Sequence, residues 1–117
     1  MYRVTVRSGG KVVRERVEAL GDAIGRVETA ARQAAEGPRL ETIDLRARRF
    51  EPEDRIAARA ELAGPQRWRP DVRAGLDVRG DGSVRAWTAD GATGRAELDP
   101  AAGEDVYAAL RRALLTA

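Results

Sequence analysis

The sequence predicts an α+β fold, a mostly antiparallel sheet in the order ββ-α-βββββ-α with two helices packed on one face. Three observations carry that prediction. Apolar residues recur at intervals of three and four in two segments, about 21–36 and 101–115. Elsewhere they alternate with polar residues at a period of two, the spacing that turns one side of a strand inward. Glycine, aspartate and proline separate neighbouring segments where turns are needed. With 117 residues, 43% hydrophobic and 34% charged, the chain is read as one domain, residues 1–117, able to offset its folding entropy by burial.

In chain order, Tyr2, Val4 and Val6 alternate with Arg3, Thr5 and Arg7, and Ser8-Gly9-Gly10-Lys11 supplies a hairpin turn. The return strand, 12–19, has Val13, Val17 and Ala19 in one phase. Glu15 shares that phase, which an edge strand tolerates because an edge is partly wet. Leu20, Ala23, Ile24, Val27, Ala31 and Ala34 form one stripe of a helix, ended by Gly37-Pro38. A strand follows with Ile43, Leu45 and Ala47 inward, then a turn at Glu51-Pro52-Glu53-Asp54. Ile56, Ala58, Ala60 and Leu62 form the next inward row, and Gly64-Pro65 opens a loop that runs to Pro70. Val72, Ala74, Leu76 and Val78 alternate strictly, Gly80-Asp81-Gly82-Ser83 turns, and Val84, Ala86 and Thr88 answer on the return. A short strand containing Ala96 and Leu98 ends at Asp99-Pro100. The last helix carries Val106, Leu110, Ala113 and Leu114 on one side, with Glu104 and Asp105 in its first turn.

The chain has neither histidine nor cysteine. That removes imidazole bases, thiol nucleophiles, disulfides and Cys/His zinc sites, so no cofactor or metal is expected and enzymatic activity is disfavoured. No apolar run approaches a membrane span and the first residues form no signal-peptide core, so a cytoplasmic location and no membrane partner are expected. Net charge is only +2, and neither half of the chain is a charged tail.

Any charge asymmetry must therefore come from folding. If the apolar phase of each strand faces the helices, the opposite phase is fixed by geometry. After the first helix that phase holds eight arginines (46, 48, 55, 59, 73, 79, 85 and 95) against Asp44, Glu61, Asp77 and Glu97, with Trp87 as an exposed indole. The candidate interaction face is thus Arg46, Arg48, Arg59, Arg73, Arg79, Arg85, Trp87 and Arg95, and Arg67, Trp68 and Arg69 form a candidate loop contact.

Three readings of this face are open. Cross-strand Arg–carboxylate pairs can simply solubilise an open sheet while Trp87 shields its neighbours. The face can pack on a protein partner, including a second copy, since Arg and Trp are enriched among interface anchors. It can also bind nucleic acid, guanidinium forks suiting phosphate and an indole suiting an unpaired base. The expectation is a non-enzymatic binding or scaffold domain acting through protein contacts, with self-association as a homodimer first and nucleic acid as the alternative.

The carboxylates Asp77, Asp81, Asp90 and Asp99 lie near strand ends, but Asp81 and Asp90 stand beside glycines, where aspartate stabilises turns. Gly80-Asp81-Gly82-Ser83 fails the calcium-loop spacing, and Ser8-Gly9-Gly10-Lys11 joins two strands, so no helix N-terminus follows it to receive a phosphate. From the first helix onward the element order is similar to that of double-stranded-RNA-binding domains. The basic cluster such domains carry at the start of the last helix is replaced by Gly103, Glu104 and Asp105, so no site residue is carried over.

Overall fold

The computed structural model of the chain describes residues 1–40, 42–45, 48–52, 55–66, 71–90 and 94–115. The first hairpin joins β1 (Tyr2–Ser8) to β2 (Lys11–Val17). Gly9 and Gly10 both take positive φ, 56° and 81°, the mirror-image turn whose twist matches that of the strands and which L side chains resist. Helix α1 (Leu20–Ala35) buries Ala23, Ile24, Val27 and Ala31, the stripe its spacing predicts. Strands β3 (Ile43–Leu45), β4 (Arg48–Phe50), β5 (Ile56–Gly64), β6 (Val72–Arg79), β7 (Val84–Asp90) and β8 (Gly94–Glu97) follow, then α2 (Val106–Leu115).

Six strands form one antiparallel sheet in the order β2-β1-β5-β6-β7-β8. Helix α1 lies over β1, β5 and β6, and α2 over β7 and β6. The core between helices and sheet holds Val4, Ala58, Ala60, Leu62, Ala74, Leu76, Val78 and Ala86 beneath Ile24, Val27 and Leu110. The α+β architecture and the inward phase of the strands agree with the sequence reading.

Four details differ. The described part of the expected strand at 43–47, residues 43–45, is not part of the main sheet; β3 pairs with β4 in a separate two-stranded ribbon, Ile43 opposite Phe50 and Leu45 opposite Arg48, and Ala47 lies outside the described residues. Both edges of β5 are taken, by β6 and by β1, the latter in a register running from Arg3 opposite Ala63 to Ser8 opposite Ala58. Alternation identifies a strand but not its partner. Ile56 is exposed rather than inward, because the β5–β6 register shifts between Ile56 and Ala58. Arg55 precedes β5, and its carbonyl accepts the Gly80 N–H at 2.7 Å. Helix α2 starts five residues later than expected because Asp105 Oδ1 accepts the N–H of Ala108 at 2.8 Å, a side-chain N-cap. Glu104 is tied to the Ala101 N–H at 2.9 Å and to Arg112 at 2.9 Å. Glu15, the acid in the inward phase, does lie on an edge strand and reaches Arg26 of α1 at 3.3 Å.

Glu28 clamps the two helices. Its Oε1 accepts from Arg32 Nε and Nη2 at 3.1 and 2.9 Å, and its Oε2 accepts from Arg111 of α2 at 2.7 Å. The Arg32 guanidinium also lies 3.9 Å from the Tyr107 ring centroid. Partial burial pushes the Glu28 carboxyl up, but the hydrogen bonds from Arg111 and then Arg32 outweigh it and hold the group below its ordinary value of 4.5. A depressed carboxyl stabilises the fold above its unfolded value and loses that contribution as pH falls through the lower folded value. Glu28→Gln is therefore expected to cost about 1 kcal/mol at pH 7. In urea titrations the gap to the parent protein should narrow as pH falls below 4.5 and through the lower folded value; a gap of constant size down to full protonation would contradict the ionic origin.

Candidate functional site

The sheet face turned away from the helices is set by the cross-strand register, in three rows that run perpendicular to the strands. One row contains Val12, Arg7, Arg59, Asp77 and Arg85. The middle row contains Arg14, Thr5, Glu61, Gly75, Trp87 and Glu97. The third contains Arg16, Arg3, Ala63 and Arg73, then Ala89 and Arg95. Arg79 ends β6 beyond the first row, opposite Ile56. Among the described residues the face thus carries nine arginines and three carboxylates, a charge of +6 on a chain whose total is +2, so the rest of the sequence sums to −4.

All three carboxylates sit in the first two rows, and each is held by an arginine. Arg7 Nη1 donates to Glu61 Oε1 at 2.6 Å, and Arg85 Nη1 to Glu97 Oε1 at 3.1 Å. Asp77 is the centre of the third and tightest cluster. Arg59, directly opposite, grips it with two parallel bonds, Nε to Oδ1 at 2.6 Å and Nη2 to Oδ2 at 2.8 Å, the bidentate fork that carboxylates favour. The Trp87 indole N–H donates to the same Oδ1 at 3.0 Å. The bond to Asp77 raises the Arg59 guanidinium above its ordinary value, against the opposing effect of burial.

Trp87 is buried, with 4% of its surface exposed, which corrects the expectation of an open indole. The ring lies over Gly75, where a Cβ would stand 2.7 Å from its Cζ2. Arg95 covers it at 4.3 Å from the ring centroid, a cation–π contact. Burial and the nearby Arg59 lower the Arg95 guanidinium below its ordinary value; Asp77 and Glu61 oppose that shift and Arg73 adds to it.

The third row has no carboxylate at any of its positions. Among the described residues, Arg16, Arg73 and Arg95 form no ion pair with an acid. Ala63 and Ala89 stand between the arginines, so the row has a low floor and cationic walls. Beside it lies a depression of about 300 Å³ lined by Arg3, Thr5, Glu61, Ala63 and Arg73. Glu61 Oε2 is buried and has no hydrogen-bond partner.

Of the residues singled out in the sequence, Arg59, Arg73, Arg79, Arg85, Trp87 and Arg95 do share one face. Arg48 lies on β4 and Asp44 on β3, in the separate ribbon and so off this face. Arg46, and the loop residues Arg67, Trp68 and Arg69, lie outside the described residues. The strand ends that flank that loop, Gly64 and Val72, adjoin the Ala63–Arg73 pair of the third row. Arg3, Arg7, Arg14 and Arg16 belong to the face and were missed, because the sequence does not say that β1 pairs with β5. Asp81 accepts from the Ser83 hydroxyl at 2.6 Å and its N–H at 2.9 Å, the turn role expected of it, and these bonds hold its carboxyl below the usual value.

Among the described residues no cluster of three acidic, His or Cys side chains could hold a metal ion, and no helix is long and apolar enough to cross a membrane. No protein-family model, no curated protein and no solved structure matches the chain.

Proposed function

We propose that this chain is a non-enzymatic binding domain whose uncovered sheet face receives a polyanion, a nucleic acid held through its phosphates. The observation that carries the reading is the separation of charge: +6 on one face against −4 elsewhere, with every acid of that face engaged by an arginine. Such a field steers an anion to the face and orients the domain on it. Guanidinium forks then match phosphate oxygens.

A protein interface, including one with a second copy, has less support. Protein interfaces need an apolar core, and among the described residues the large hydrophobics exposed on or beside this face, Val12, Ile56 and Met1, lie at its margins rather than at its centre. An isologous contact of two such faces would also set arginine against arginine. Because Trp87 is buried under Arg95, affinity should come from phosphates rather than from stacking on the indole.

The domain is expected to be retained on heparin and on nonspecific DNA at low salt, and released as salt rises, since phosphate binding displaces counterions. Absence of retention at low salt would overturn the reading. Concentration-dependent dimerisation in sedimentation, lost on Arg73→Glu substitution, would replace it with self-association.

A further inference from the structure

We infer that the ligand is a single strand crossing the β-strands along the third row, with phosphates on Arg16, Arg73 and Arg95 and one base in the depression beside Glu61. The inference rests on the polyanion reading and names the class and path of its ligand.

The charge pattern fits one line of phosphates. The first and middle rows hold all three acids of the face, and the third holds none. A duplex would present two phosphate lines, and the second would fall on rows that hold every acid of the face and together carry only +1, against +4 for the third. Strands lie about 4.8 Å apart, so Arg16 to Arg73 spans roughly 14 Å and Arg73 to Arg95 roughly 10 Å. Flexible arginine side chains can place their forks on alternate phosphates of an extended strand over that length. Ala63 and Ala89 leave the path between them open.

The second observation is the buried Glu61 Oε2, which has no donor. A buried acceptor left unmet costs free energy, and phosphate, which brings only acceptors, cannot meet it. An exocyclic amino group can, once the Glu61 carboxylate turns Oε2 into the depression that the residue lines. Adenine, cytosine and guanine carry one; thymine and uracil do not. The depression, about 300 Å³, is at the small end of ligand sites and opens directly onto the arginine row. Amino groups are accessible in this way when a base is unpaired, which again selects a single strand.

The test is fluorescence anisotropy of the whole chain with labelled oligo(dC), oligo(dT) and a mixed duplex, each about 12 nucleotides long, titrated with salt. Three phosphate contacts predict a slope of log K against log salt of about −2 for a single strand. Combining Arg16→Ala, Arg73→Ala and Arg95→Ala should abolish that slope, and Arg16→Ala alone should reduce it by about 0.7. Arg85→Ala, which removes an arginine already paired with Glu97, should leave the slope unchanged. Oligo(dC) should bind about tenfold tighter than oligo(dT), and Glu61→Gln should erase most of that preference. Tighter binding of the duplex at equal salt, equal binding of oligo(dC) and oligo(dT), or an unaltered slope in the triple variant would overturn the single-strand path while leaving polyanion binding intact. Failure to bind any oligonucleotide, with retention on heparin, would assign the face to a sulfated polymer instead. Failure to bind heparin as well would remove the polyanion reading itself. Urea midpoints of the variants that match the parent's exclude misfolding as the cause, and the single Arg16 variant keeps the test decisive if the triple variant unfolds.

Discussion

Asp77→Ala should be among the most damaging single substitutions in this domain, destabilising it by about 3 kcal/mol. The carboxylate is 6% exposed, accepts two bonds from Arg59 and a third from the Trp87 indole, and lies at the middle of the six-stranded sheet. Removing it strands a partly buried guanidinium and a buried indole N–H together. Breaking one side of a fully buried ion pair costs about 3 to 5 kcal/mol; here water reaches part of Arg59, whose side chain is 22% exposed, which lowers the estimate for the pair. The orphaned indole donor adds about 1 kcal/mol. For a domain whose whole stability is of order 5 to 15 kcal/mol, the urea midpoint should fall by about 1 to 2 M. Asp77→Asn keeps an acceptor for Trp87 and loses only the charge and half of the fork, so it should cost distinctly less than alanine. If alanine and asparagine shift the midpoint equally, or if neither moves it, the Asp77 cluster does not hold this part of the sheet together.

The same cluster shows what could be read from the sequence and what could not. Strand phase was legible, because Val72, Ala74, Leu76 and Val78 can hide only by turning Arg73, Gly75, Asp77 and Arg79 the other way. That placed Arg59, Arg73, Arg85 and Arg95 on one side. Strand neighbours were not legible. Tyr2, Val4 and Val6 state that Arg3, Thr5 and Arg7 look away from the core, but nothing local states that β1 lies beside β5. The third row exists only through that pairing, since it sets Arg16 and Arg3 in line with Arg73. Trp87 was misjudged for a related reason. An outward phase was equated with exposure, whereas a long aromatic side chain can lie flat across its neighbours. The signal that would have corrected this was a glycine in the middle of a strand, a residue that there marks the close approach of another group.

Gly75→Ala should accordingly destabilise the domain by about 2 kcal/mol, and Gly75→Val by more. The substitution is informative because its sign is in question. Glycine inside a strand sacrifices about 0.5 to 1 kcal/mol of backbone entropy, so at an open position alanine would stabilise. At Gly75 a Cβ would stand 2.5 Å from the Ala60 carbonyl oxygen and 2.7 Å from the Trp87 ring. The first of these is backbone in the adjoining strand β5, and β5 is paired on both edges and buried beneath α1, so it has little room to retreat. The indole must swing outward instead. In doing so it breaks its bond to Asp77, leaves its place under Arg95 and gives up most of its buried area. Two readouts should therefore move together: a lower urea midpoint, and a red-shifted emission of Trp87 measured on a Trp68→Phe background, where it is the only indole left. A stabilised Gly75→Ala protein with unchanged emission would mean that the indole does not need the bare strand beneath it.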